Sequence, residues 1–354
     1  MKKKYIFTFI GVLSAIIVIC AIFIYNKKAD TTTISPMVSL GYEHSAVIKE
    51  DGSLWLWGNN SCGQLGFGKK VEVLTAPKKL MDDVKCISLN DDTSAAVKSD
   101  GSLWIWGKTP IGTEKTAGGL KCSYTPINIL NDVTYVVLGG WNGAAIKNDG
   151  SLWMWGENSF GSVGNGTYDD WIYPPVKVLD DVKSVKLSMN QSAAIKNDGS
   201  VWMWGGSAFP IEPFSEAMKG SNAPKKVIDN VEVEDIGLMT GNDAILIDGV
   251  VWEWNEANIV PKKTDAVNVR KLIWENYNNA IIKKDNSMWV IEDNTYVKIM
   301  DNVQSASLGG FGGTYYASIT TDGELYMWGN NDRGQLGDGT TNSISVPKRI
   351  MSLK

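Results

Sequence analysis

The stretch "SAVIKEDGSLWLWG" at residues 45–58 returns six more times along the chain. The other copies read "SAAVKSDGSLWIWG", "GAAIKNDGSLWMWG", "SAAIKNDGSVWMWG", "DAILIDGVVWEWN", "NAIIKKDNSMWVIE" and "YASITTDGELYMWG". Their turn aspartates are Asp51, Asp100, Asp149, Asp198, Asp248, Asp285 and Asp322, spaced by 49, 49, 49, 50, 37 and 37 residues. A unit of this length cannot bury its apolar surface alone, so neighbouring units must cover it. Each copy predicts a hairpin, because Asp-Gly accepts the positive φ of a primed two-residue turn. Alternation puts Trp55 and Trp57 on one face of the return strand and Leu54 and Leu56 on the other. Both faces are apolar, so the sheet must be covered on both sides.

A second motif alternates with the first: "APKKLMDDVKCISL", "TPINILNDVTYVVL", "PPVKVLDDVKSVKL" and further variants. It predicts two more strands joined by an Asp/Asn turn. The chain ends on the first half of this motif, "VPKRIMSLK", and its second half stands at the other end, in "TISPMVSLGYEHS". Such a circular shift suits a ring, whose last unit must meet its first. Four strands per unit and seven units predict an all-β, seven-bladed β-propeller with circularly shifted closure over residues 35–354. Closure also removes most of the free strand edges that invite aggregation.

The run "SLGYEHSAVIKEDGSLWLWGNNSCGQLGFG" and its echo "YASITTDGELYMWGNNDRGQLGDGT" resemble the regulator of chromosome condensation repeat. Gly41, His44, Asp51-Gly52, Trp57-Gly58, Asn60 and "GQLG" carry the resemblance. It implies a seven-bladed propeller, in agreement with the count above. The family's best-known member is a guanine-nucleotide exchange factor for a small nuclear GTPase, and secreted bacterial members inhibit β-lactamases. The resemblance thus implies a binding scaffold. The fifth and sixth copies depart from it by losing the long "GNNxxGQLG" loop.

The N-terminus follows other rules. The segment Tyr5 to Tyr25 is uncharged, flanked by Lys2, Lys3 and Lys4 and by Lys27 and Lys28. It is long enough to cross a bilayer as one helix. The lysine excess ahead of it keeps the N-terminus in the cytoplasm, and "IYNKKAD" is a poor cleavage site. The expected organisation is a cytoplasmic tip and transmembrane anchor over 1–28, a linker over 29–34 and the propeller outside the cytoplasm. The alternative is secretion after signal cleavage.

Composition narrows function further. Net charge is −5, which argues against a nucleic-acid partner. The four cysteines, Cys20, Cys62, Cys86 and Cys122, contain no CxxC, so neither a disulfide framework nor a zinc site is expected. No cofactor is expected either. "GNNSCGQLG" lacks the Lys-Ser/Thr ending of a phosphate loop and reads as the connection between third and fourth strands. The one histidine, His44, stands where other copies carry Thr93, Asn142, Gln191, Asn278 and Tyr315, a pattern of corner hydrogen bonding rather than catalysis.

Strand parity sends the Asp-Gly turns to one face of the disc, and the "LGYEHS" turns and long loops to the other. On this second face the copies stop agreeing: the Glu43 position becomes Asp92, Trp141, Asn190, Tyr277 and Thr314. Tyr42, Glu43, His44, Trp141, Tyr168, Trp171, Tyr173, Tyr277 and Phe311 form the candidate partner-binding face, since aromatic residues on loops of a rigid scaffold are favoured contact points. The expected role is non-enzymatic binding of a protein or cell-surface ligand. Two rivals are nucleotide exchange, if the propeller is cytoplasmic, and a polysaccharide-acting carboxylate pair drawn from Glu43, Asp91, Asp92, Asp169 and Asp170.

Overall fold

The Asp-Gly turns close the hairpins of the repeat, but the expected two-residue primed turn is seen among them only at Asp248-Gly249, where both residues have positive φ. At Asp51-Gly52 the loop holds three residues, Glu50 to Gly52, and only Gly52 has positive φ (77°). In the first copy His44 pairs with Gly58, Ala46 with Leu56 and Ile48 with Leu54. Asp51 also fixes its own turn, accepting hydrogen bonds from Ser53 N (2.9 Å) and Ser53 Oγ (2.5 Å). Ser53 Oγ in turn accepts the Trp55 indole N–H at 2.9 Å. The same Asp–Ser–Trp relay recurs at Asp100, Asp149, Asp198 and Asp285.

The computed structural model of the chain describes residues 34–354 except 70, 110–113, 116–120, 207–208, 212–215, 219, 230, 239–242, 256–257, 276–277, 293–294 and 311–314. Ser35–Lys354 form one compact unit. The expected anchor over 1–28 lies outside the described residues, among which no helix is long and apolar enough to cross a membrane.

The described strands build seven antiparallel sheets of four or five strands, the blades of a β-propeller, and a separate two-stranded hairpin of Phe209–Ile211 with Glu216–Met218. Blade 1 comprises Met37–Leu40, His44–Ile48, Leu54–Asn59 and Val73–Met81. Blades 2 to 7 occupy 84–130, 133–179, 182–228, 235–263, 269–300 and 303–352. First strands of neighbouring blades touch one another around the axis, blades 4 and 5 through the Lys186–Asp235 ion pair at 3.4 Å. Serines on these strands tie blade to blade. Leu89 N donates to Ser39 Oγ (2.9 Å), Leu138 N to Ser88 Oγ (2.9 Å) and, between the first and last blades, Leu40 N to Ser307 Oγ (3.2 Å). Each blade is a continuous chain segment. "VPKRIM" is the fourth strand of blade 7 and "MVSL" the first strand of blade 1. The circular shift therefore belongs to the frame in which the motif is read; no strand is exchanged between the ends among the described residues.

The two tryptophans of the repeat play different parts. Trp57, Trp106 and Trp204 are fully buried. Trp55 and its counterparts are half-buried, and lysines lie over several of their rings, Lys283 at 4.1 Å from the Trp289 centroid. The N–H of each of these three indoles donates to a carbonyl in the long loop of the preceding blade: Trp57 to Gln335, Trp106 to Gln64 and Trp204 to Ser162, all at 2.8 Å. The "GQLG" loop of blades 7 and 1, "GSVG" in blade 3, is thus a clasp that each of these blades extends onto its successor.

One expectation is corrected here. Cys62, in the clasp of blade 1, forms a disulfide with Cys122, at the start of the fourth strand of blade 2, with Cα atoms 5.0 Å apart. The clasp docks tightly enough to bring them together: Gly68 N donates to Tyr124 O at 2.9 Å, and a Cβ on Gly63 would meet Ser123 O at 2.5 Å. Spacing within the sequence could not show this, because the pair bridges two repeats. Cys86 is free and buried.

Candidate functional site

The first-to-second-strand turns and the long loops share one end of the blades. In blade 1 Asn59 N donates to Glu43 O, and Asn59 Nδ2 to Glu43 Oε2, both at 2.9 Å. Gly58 permits this closeness: its φ is +101°, and a Cβ there would lie 2.4 Å from Glu43 O. His44, next to this corner, is fully buried. Its Nε2 lies 3.0 Å from Ser94 Oγ, whose own proton goes to Gln64 O at 2.7 Å. Burial pushes the imidazole down to about 3, only partly opposed by the Thr93 backbone. The ring is a neutral strut between blades 1 and 2 and offers no surface to a partner.

A cavity of about 490 Å³ lies on the axis, walled by first strands and ringed at its mouth by Tyr42, Asp91, Asp92, Lys108, Trp141 and Met189. Asp91 and Asp92 fill, in blade 2, the places of Tyr42 and Glu43, and Tyr42 N donates to Asp91 O at 2.9 Å. Burial, then the neighbouring Asp92, push the Asp91 carboxyl up to about 6; Lys108 and a hydrogen bond with the Trp141 side chain oppose the rise. Asp92 is also raised, by burial first, with Lys108 lowering it and Glu43 raising it. Gln64 Nε2 donates to Asp92 Oδ1 at 2.9 Å.

Trp141 is 52% exposed and Trp171 37%. Together with Asp91, Lys108 and Asn142 they line a small cleft of about 30 Å³ beside the main cavity. Tyr42, Tyr168 and Tyr173 are exposed as well. Tyr277 and Phe311 lie outside the described residues. Asp169 and Asp170 are exposed on the blade 3 loop and are not among the residues lining the cavity. Sequence reasoning passed over Phe160, exposed in the clasp of blade 3, and Lys108, at the end of the third strand of blade 2. The signal for Phe160 was present, since it takes the place of Cys62 and Arg333 in the aligned loops. All six strongly exposed aromatics among the described residues stand at this end, and five of them belong to blade 3.

Residues 38–64 and 322–354 match the Regulator of chromosome condensation (RCC1) repeat. These matches lie in the first and last blades. Human E3 ubiquitin-protein ligase HERC2 is 51% identical over 43 residues, 12% of this chain and 1% of its own length. The chain therefore spans only a small fraction of that relative. Among solved structures, human WBSCR16 superposes with a TM-score of 0.54 at 19% identity, covering 90% of this chain and 82% of its own. Prp20p of Saccharomyces cerevisiae, known for binding properties to Gsp1p and histones, gives 0.52 at 18% identity, covering 89% and 76%. These likenesses show the propeller fold.

Proposed function

We propose that the chain is a membrane-anchored propeller displayed outside the cytoplasm, which binds a protein or surface ligand through its long-loop face. The observation that carries the reading is the gathering of exposed aromatics on the long-loop end of blade 3, of which Trp141 lines the mouth of the axial cavity and Trp171 the cleft beside it. Single exposed rings are ordinary on a soluble surface, whereas a cluster beside a cavity matches the composition of interface hot spots. With Trp141 and Trp171 both changed to Ala, in-cell crosslinking to the partner is expected to fall at least tenfold, the scale of losing one hot spot. Undiminished crosslinking would show that the face is wrong.

The Cys62–Cys122 disulfide supports the extracytoplasmic placement, since such bonds persist in oxidising compartments. Alkylation of the chain in intact cells is expected to leave both thiols unlabelled until reductant is added. Replacing both cysteines with serine is expected to lower stability by about 2–4 kcal/mol, read from the shift in denaturant midpoint, because the bond closes a loop that unfolding would otherwise release. Free thiols at both positions in freshly isolated protein would point to a cytoplasmic propeller and reopen the nucleotide-exchange reading.

A further inference from the structure

We propose that the cleft between Trp141 and Trp171 is a receptor for a cationic side chain, the guanidinium or ammonium of a basic segment on the partner protein. The inference rests on reading this face as the binding face and adds the chemistry of what it holds.

Three tryptophans line the cleft, the buried Trp155 and the exposed Trp141 and Trp171, and a cation over an indole face is attracted by the ring quadrupole. Charge points the same way. Glu43 already has partners in Asn59 and, at 3.7 Å, Arg333. Of the three lysines lining the cavity, Lys186 pairs with Asp235 at 3.4 Å and Lys271 stands on the first strand of blade 6, whereas Lys108 lines the cleft with Asp91 and is the one that acts on Asp91 and Asp92. Two desolvated carboxyls against one cation leave an anionic excess at the foot of an aromatic wall. An incoming guanidinium can stack on an indole while donating to a carboxylate, a geometry for which its planar fork is suited.

Asn142 supplies an independent sign. It is 3% exposed, lines the cleft, and neither its amide oxygen nor its amide nitrogen has a partner. Buried amides are nearly always hydrogen-bonded, so an orphaned one marks a place where a partner is missing. The equivalent residue in blade 1, His44, reaches Ser94 of the next blade. Asn142 is shorter and makes no bond to Ser192, the counterpart of Ser94, which like Ser94 donates to the clasp carbonyl of the preceding blade, here Ser162 O. With nothing to fix its orientation, the amide can turn its oxygen into the cleft as an acceptor for the cation. The cleft volume of about 30 Å³ admits the tip of one side chain and no sugar ring.

The test uses the full-length protein labelled with 5-fluorotryptophan, with the Trp141 and Trp171 signals assigned through Trp141→Phe and Trp171→Phe. The probes are N-acetyl-arginine amide and its neutral isostere N-acetyl-citrulline amide. The expected result is a saturable shift of both fluorine signals with the arginine probe, at least tenfold weaker in Asp91→Asn and absent with citrulline. Equal response to both probes, no response, or a response unaltered by Asp91→Asn overturns the proposal. Partner crosslinking, measured separately on the Trp141→Ala, Trp171→Ala protein, keeps the two readings apart. Crosslinking lost without probe binding overturns the cation site and leaves the face standing. Probe binding with crosslinking intact overturns the assignment of the cation to the partner, because the face then lies outside the partner's path.

Discussion

Replacing Trp106 by Ala is expected to lower the unfolding free energy by about 3–5 kcal/mol, the usual range for deleting a buried Trp. The ring is fully buried between blades 1 and 2, and its N–H donates to Gln64 O at 2.8 Å. The substitution opens a cavity and also removes one of the two hydrogen bonds that Gln64 O accepts, the other coming from Ser94 Oγ. The clasp of blade 1 thereby loses one of its holds on blade 2 and keeps the Ser94 and Gln64–Asp92 hydrogen bonds, the Gly68–Tyr124 bond and the Cys62–Cys122 disulfide. Trp104, two residues away on the same strand, is only half-buried and is tied to Ser102 at the rim. Its replacement by Ala is expected to cost about half as much, since less area is uncovered. Denaturant midpoints of the two variants decide the matter, and equal losses would refute the division of labour between the tryptophans.

The second large effect is a pH dependence. The His44 imidazole has a folded value of about 3, held down by burial, against 6.5 when exposed. A depressed folded value means the stabilising contribution is complete above the unfolded value and is lost as pH falls through the window from 6.5 to 3. By pH 5 the loss amounts to about 2 kcal/mol through the linkage between proton uptake and unfolding. Asp91 works in the opposite direction. Its value is raised to about 6, so its contribution is present below 3.8 and is lost as pH rises through 6. The net profile of the wild type is therefore flatter than His44 alone would give. His44→Asn, which installs the residue found at position 142, isolates the histidine part. Its stability should fall less than that of the wild type between pH 7 and pH 5. An unchanged difference between the two proteins across that interval would show that His44 is not the buried neutral strut described here.

The architecture was legible because its determinants recur. Asp-Gly turns, alternating apolar strands and paired tryptophans repeat often enough to define the blade and to count blades. The mouth of the cavity was legible for the opposite reason, as the place where the Glu43 column stops agreeing. Trp141 and Trp171, picked from different loops of the sequence, line one cleft. What escaped was each feature made between repeats. Cys62 aligns with Phe160 and Arg333, and Cys122 with Val73 one repeat earlier, so no recurring pair announced the bond. The burial of His44 also depended on a neighbour, because Ser94 belongs to the next blade. Gly41 adds to it: a Cβ there would sit 2.2 Å from the His44 ring, so the glycine of "LGYEH" makes room for the imidazole.

The direction of the clasps imposes an order on the nascent chain. Blade 2 can be pinned as soon as it emerges, because the loop that holds Trp106 is already made. Blade 4 likewise finds its holder, Ser162, waiting upstream. Blade 1 is the exception. The carbonyl that receives Trp57 belongs to Gln335, and the hydroxyl of Ser45 depends on the same atom at 2.7 Å. The first blade to leave the ribosome is therefore the last to be completed, and it waits for nearly the whole polypeptide with its innermost tryptophan unpaired.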